Sequence, residues 1–157
     1  MVISMQSGYQ NQTNEKNRLA NKAVLPKDQA RAVLETDFSL NFPENVHDVV
    51  KKLYSRRNEK GELIESLTQV WKRVALSVAI AQLKYVLKPH ELIQLTVDKA
   101  LDNEYVLSAA AKYYKAMGER KMFANTPANI NAREYFSLYV LQYEAHGEIL
   151  GWSTHKI

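Results

Sequence analysis

Between Pro43 and Gly118 the apolar residues recur at helical spacing, and turn-forming residues punctuate the recurrence. Val46, Val49, Val50, Leu53 and Tyr54 fall at i, i+3, i+4, i+7 and i+8, which is one apolar stripe on a helix. Pro43 suits an opening turn, and Asn41 stands just before it as a cap. Lys51, Lys52 and Arg56 lie off the stripe, toward the end where cations favour the helix dipole. Asn58-Glu59-Lys60-Gly61 closes the element as a turn, with Gly61 able to take a positive φ. Ser66 and Gln69 have the S-x-x-Q spacing of a capping box. Val70, Trp71, Val74, Val78, Ala81 and Tyr85 then mark a second helix, whose intervening alanines suit close packing. Pro89 stops it. A third helical region runs from Pro89 to Met117, with Leu92, Ile93, Leu95, Val97, Ala100 and Leu101 apolar on more than one side. Asp102 or Asn103 caps a fourth helix, which carries Val106, Leu107, Ala110, Tyr113, Tyr114 and Met117. Gly118 is its expected C-cap.

The flanks follow other rules. Met1 to Asn21 is rich in Gln, Asn and Ser, too poor in bulky apolar groups to offset its ordering entropy. The expectation is a flexible tail over residues 1–40 that includes a short helix from Lys27 to Leu34 after Pro26. Asp37 to Phe42 reads as an extended lead-in that docks two aromatic rings. At the other end Tyr135 to Tyr143, YFSLYVLQY, has strand composition. A lone strand leaves backbone groups unpaired, so this segment either pairs with something outside the chain or takes a helical form. The fold expected is mainly α. It is a small bundle of three to four helices over residues 41–134, followed over 135–157 by a short C-terminal β segment and a tail.

With 157 residues, 46% of them apolar, one domain can bury a core without metal or disulfide staples. The chain has no cysteine. That excludes disulfides, thiolate metal sites and thiol nucleophiles from this chain, and a reducing, cytoplasmic setting is expected. The net charge is +4, but the basic residues are spread, with Lys51, Lys52, Arg56 and Arg57 the densest group. They read as a solvated helix face, and nucleic acid is not an expected partner. No apolar run approaches the ~20 residues that cross a bilayer, so no membrane is expected. The opening MVISMQSGYQNQTNEKN lacks the pattern of a secretory signal. His47, His90, His146 and His155 never take H-x-x-x-H spacing, so no metal site is expected. Glu62, Glu65 and Glu91 sit near turns or helix starts, where carboxylates favour the dipole. No nucleophile elbow or phosphate-cradling glycine motif occurs. Tyr113, Tyr114, Tyr135, Tyr139 and Tyr143 read as packing, and Arg120, Lys121 and Arg133 are sparse company for a base-stacking surface. No catalytic residue emerges from these patterns alone.

Two stretches together carry more. Within Val49–Ala79, Glu65, Ser66, Trp71, Arg73, Val74 and Ala75 fall in the order E-[ST]-x-x-x-x-[FW]-x-R-V-A. Within Tyr113–Ala132, YYKAMGERKMFANTPANINA, the notable residues are Tyr114, Met117, Phe123, Asn125, Thr126, Pro127, Asn131 and Ala132. Together they resemble the N-terminal region of ribonucleotide reductase large subunits, most closely the adenosylcobalamin-dependent class. The resemblance spans roughly residues 42 to 141. It implies that the N-[ST]-P-T loop leads into a first barrel strand and helps hold the phosphates of a substrate nucleotide, with Asn125 and Thr126 as the substrate-binding residues. Ala128 stands where the family has threonine, and Arg133 where it has glycine. Leu138 takes the place of the redox cysteine. The resemblance therefore implies a helical piece of a reductase that is inactive alone. It would work with a partner chain that carries the barrel and the adenosylcobalamin chemistry, with a nucleotide at their interface and YFSLYVLQY added to the partner's sheet. The alternative is a non-catalytic binding or assembly protein that keeps the scaffold without the chemistry.

Overall fold

The computed structural model describes residues 24–125, 129 and 131–150. Seven α-helices occur among them: α1 Lys27–Leu34, α2 Glu44–Tyr54, α3 Leu67–Ile80, α4 Pro89–Ile93, α5 Val97–Leu101, α6 Glu104–Gly118 and α7 Glu134–Ile149. Short 3₁₀ turns cover Ser39–Asn41 and Ala81–Tyr85. The mainly helical reading stands, but three to four helices is too few. Two caps account for part of the difference. The Thr96 hydroxyl accepts from Lys99 N–H, and Asn103 Oδ1 accepts from Tyr105 N–H at 2.9 Å and Val106 N–H at 3.4 Å. Each cap begins a new helix, so the stretch from Pro89 to Gly118 becomes three elements. Replacing Asn103 with Ala removes the acceptor for two first-turn N–H groups of α6 and should cost about 1 kcal/mol. The urea midpoint reads this directly.

The short C-terminal β segment expected over 135–143 is not present. Those residues form the first part of α7, and the described residues contain no strand, only an isolated bridge between Arg57 and Leu63. Composition misled here because strand propensity mostly measures fit to a half-buried surface, and a helix supplies one as well. Leu138, Leu141 and Ala145 are spaced as one helix face, and all three are buried. Gln142, on the same side, donates to Leu92 O at 3.0 Å and Leu95 O at 2.9 Å. Its amide thus adds a donor to carbonyls at and just beyond the end of α4, where helical donors run out.

Helices α3 and α6 form the centre. Val70, Trp71, Val74, Ala75, Ala79 and Ile80 of α3 are buried, as are Val106, Leu107, Ala110, Ala111, Tyr114 and Met117 of α6. Small residues on both helices let their axes approach. Helix α1 packs on α6 through Ala30 and Leu34, and Leu25 N–H donates to Ser108 Oγ at 2.8 Å. The expected helix at Lys27–Leu34 is therefore part of the folded body. Residues 1–23 of the expected tail lie outside the described residues. Helix α7 lies against α3 and α4. Tyr85 leaves the stripe of α3 and is 75% exposed, because the 3₁₀ turn changes the period from 3.6 to 3.0 residues at Ala81.

The two aromatic rings before α2 dock as expected. Phe38 meets Tyr114 edge-on at 5.3 Å, and Phe42 meets Trp71 at 4.6 Å. Pro43, not Asn41, is the N-cap of α2. The Asn41 side chain instead donates to Gly118 O at 3.0 Å. Arg120 completes the junction. It takes φ +60°, donates to Asn41 O and lies 5.0 Å over the Phe42 ring. Gly118 is the last helical residue, and the positive φ expected of a C-cap glycine falls on Arg120 instead. Gly61 does adopt φ +80° in its turn.

Candidate functional site

Arg73 is the only charged residue of α3 that is buried, with 4% of its surface exposed. A buried guanidinium must be paired and its N–H groups satisfied, and this one reaches three segments. Its Nε donates to Glu65 Oε1 at 2.9 Å and its Nη2 to Glu65 Oε2 at 3.1 Å, a two-pronged pair. Nη2 also donates to Tyr54 O at 2.9 Å, at the end of α2. Nη1 donates to Ala132 O at 2.8 Å and to Asn129 O at 3.3 Å, in the segment that leads from α6 to α7. Arg73 therefore fastens the loop that carries Asn125 to the main body of the protein.

Glu65 is held just as closely. Its N–H donates to Ser55 Oγ at 2.8 Å, and its Oε2 accepts from Arg56 N–H at 2.9 Å. Burial pushes the Glu65 carboxyl upward, but the hydrogen bonds and charges of Arg73 and Arg56 outweigh that and hold it below its ordinary value. The Arg56 side chain lies between two acids: its Nε is 3.9 Å from Glu65 Oε1, and its Nη2 pairs with Glu134 at 3.1 Å, in the first turn of α7. One electrostatic chain thus joins the end of α2, the start of α3, the loop and α7. Glu65 is not the solvated, dipole-favouring acid its position before a helix suggests, and Arg56 is not part of an open basic face.

The loop also closes on itself. Asn129 N–H donates to Asn125 O at 3.1 Å, and Asn129 Nδ2 donates to Ala124 O at 2.9 Å. Asn129 is 7% exposed, and its Oδ1 has no protein partner. Asn125 lies at the surface at the start of this segment. Thr126, the other expected substrate-binding residue, lies outside the described residues, as do Pro127, Ala128 and Ile130. Leu138 is 3% exposed and packs into the core. No group of three or more His, Asp or Glu among the described residues could hold a metal ion.

An open groove of about 520 Å³ lies elsewhere, lined by Ser39, Phe42, His47, Lys51, Ser66 and Leu67 among others. His47 Nε2 is already engaged with Ser39 O at 2.8 Å and Phe42 O at 3.2 Å. The groove gathers no catalytic constellation. No described helix is long and apolar enough to cross a membrane.

The Arg73 node was within reach of sequence reasoning. An arginine between Trp71 and Val74, on a helix otherwise built for the core, requires a buried partner. Glu65, eight residues earlier, is the nearest acid before the helix begins. The main-chain acceptors at Asn129 and Ala132 carried no such signal, because carbonyl oxygens are common to all residues.

A family profile described as "Ribonucleotide reductase, all-alpha domain" matches residues 40–135, more than half of the chain. The match takes in α2 to α6, the Arg73–Glu65 pair and the loop. No curated protein and no solved structure gives a significant match. With a helical fold and that match over most of the helical body, the chain belongs to the ribonucleotide reductase all-alpha domain family, the N-terminal region of the reductase large subunit.

Proposed function

We propose that this chain is the N-terminal helical component of a ribonucleotide reductase and acts with a separate chain that carries the barrel. The observation that carries the reading is the Arg73 anchorage of the Asn125–Ala132 loop within the family-matched region. In this reading the helical body holds the loop against the partner chain, and Asn125 and Thr126 meet the phosphates of the substrate nucleotide at the interface. Amide and hydroxyl groups suit that task, because they donate hydrogen bonds to phosphate oxygens without needing a formal charge. The complete enzyme is of the adenosylcobalamin-dependent type and works in the cytoplasm. The residues of this chain do not fit that cofactor's radical chemistry, since there is no cysteine to carry a thiyl group. The cofactor and the redox thiols are therefore assigned to the partner chain, and this chain is inactive alone. Strand addition through YFSLYVLQY forms no part of the reading, because that segment is helical and its N–H groups bond within the helix.

Mixing this protein with a barrel-bearing reductase fragment tests the reading. Ribonucleotide reduction should appear only in the mixture, and Asn125→Ala should raise the KM for nucleotide. A mixture that forms no complex and reduces nothing rejects the proposal.

A second reading draws on a separate observation. Leu138 is sealed in the core rather than facing an open site. That suits an assembly protein that has kept the scaffold and lost the chemistry. It would bind the same partner without restoring turnover.

A further inference from the structure

Helix α7 is apolar on both of its faces. Leu138, Leu141 and Ala145 point into the protein, yet Tyr135, Phe136, Tyr139, Val140, Tyr143 and Leu150 on the opposite side are 58%, 57%, 62%, 40%, 48% and 62% exposed. At 100° per residue these six span a single broad face. No Asp, Glu, Lys or Arg falls within it.

We infer that this face of α7 is a self-association surface, on which a second copy of the chain docks its own α7 in antiparallel orientation about a two-fold axis near Tyr139 and Val140.

Area and charge both point to that occupant. Taking about 200 Å² for a whole aromatic side chain, the four half-exposed rings with Val140 and Leu150 present about 600 Å². This lies at the upper end of the largest apolar patch on an ordinary monomer. Paired with itself the face buries about 1,200 Å² in total, the lower edge of specific interfaces. An uncharged aromatic surface is self-complementary, as an isologous contact requires. The rim fixes direction. Arg133 stands at the start of α7, and Glu148 stands near its end on the same edge. Neither has an intramolecular ion pair among the described residues. In an antiparallel pair related by a two-fold axis each edge meets itself reversed, so Arg133 of one copy lies toward Glu148 of the other. A parallel pair would forgo this match and align the two helix dipoles unfavourably. The inference concerns one helix face and is independent of the reductase reading.

Sedimentation of the full chain from about 1 to about 200 µM tests it, since an interface of this size implies a dimer in the micromolar range. The expected result is a concentration-dependent dimer. Tyr139→Glu, which acts twice at the axis, should weaken it by about 100-fold or more and leave thermal unfolding of the chain nearly unchanged at concentrations well below the dimer's Kd. Arg133→Glu should weaken the dimer by roughly three- to ten-fold, and Arg133→Glu with Glu148→Arg should restore it. A chain that stays monomeric at about 200 µM overturns the inference. So does a dimer indifferent to Tyr139→Glu combined with Phe136→Glu, and absence of rescue by the charge swap overturns the antiparallel arrangement.

Discussion

Arg73→Met should lower the unfolding free energy by about 3–5 kcal/mol, because it leaves Glu65 as a buried charge without its main partner. Against a typical domain stability of about 5–15 kcal/mol, this is a large share of the total. The side chain of Glu65 is 12% exposed and that of Arg73 is 3% exposed, so water cannot replace the lost pair. Three carbonyls, at Tyr54, Asn129 and Ala132, lose a donor in the same substitution. Urea unfolding of Arg73→Met beside Arg73→Met/Glu65→Leu separates the two contributions. The double variant should regain part of the loss, since an apolar pair removes the orphaned charge, but not the part owed to the carbonyls. Full recovery would show that the loop anchorage contributes nothing. Limited proteolysis supplies the other readout, with cleavage between residues 121 and 133 rising in both variants. The same node makes the wild type acid-sensitive. The Glu65 carboxyl titrates below its ordinary value in the folded protein. Its contribution is therefore complete above the unfolded pKa of 4.5 and is lost as pH falls through the lower folded value.

Gly118→Ala should destabilise the protein by about 1–3 kcal/mol, although Ala is the better helix former. Gly118 is the last residue of α6, and Phe38 lies across it. A Cβ there would come within 2.3 Å of Phe38 Cγ, 2.4 Å of Cδ2 and 2.8 Å of Cβ. Rotation of the ring alone cannot relieve a contact that includes Phe38 Cβ, so the backbone before α2 must move. That movement would pull Phe38 off Tyr114, whose hydroxyl donates to Thr36 O at 2.7 Å. Burial first, and then the nearby charges of Asp37 and Glu35, push the Tyr114 hydroxyl up to about 12. A double-mutant cycle with Phe38→Ala checks the cause. Removing the ring takes away two of the three clashing atoms, so Gly118→Ala should cost clearly less in that background. Equal costs in both backgrounds would place the strain somewhere other than the Phe38 contact.

The parts of the fold governed by local rules were legible in the sequence. The Ser66–Gln69 capping box forms with both of its bonds, Asn103 caps α6, Gly61 takes a positive φ, and Lys27–Leu34 is helical. Each depends on residues within one turn of one another. What failed depended on distant neighbours. Nothing in YFSLYVLQY states that Leu138, Leu141 and Ala145 will find α3 and α4 to pack on, so its strand-like composition outweighed its helical spacing. Asn41 looked like a helix cap because its acceptor, Gly118 O, is 77 residues away. Of the site, the family motif brought out Arg73 and Glu65, but the motif says nothing of what Arg73 holds.

Arg73 grips the loop by main-chain oxygens, one of them 59 residues downstream, and such a grip is blind to side-chain identity. The course of the segment is thereby written partly outside it, with the buried Asn129 amide as the contribution from within. Mutation can exchange the exposed groups of the segment without redrawing its path, as long as the arginine, its acid and Asn129 persist. A lineage built this way can change what the segment displays while keeping the shape that displays it.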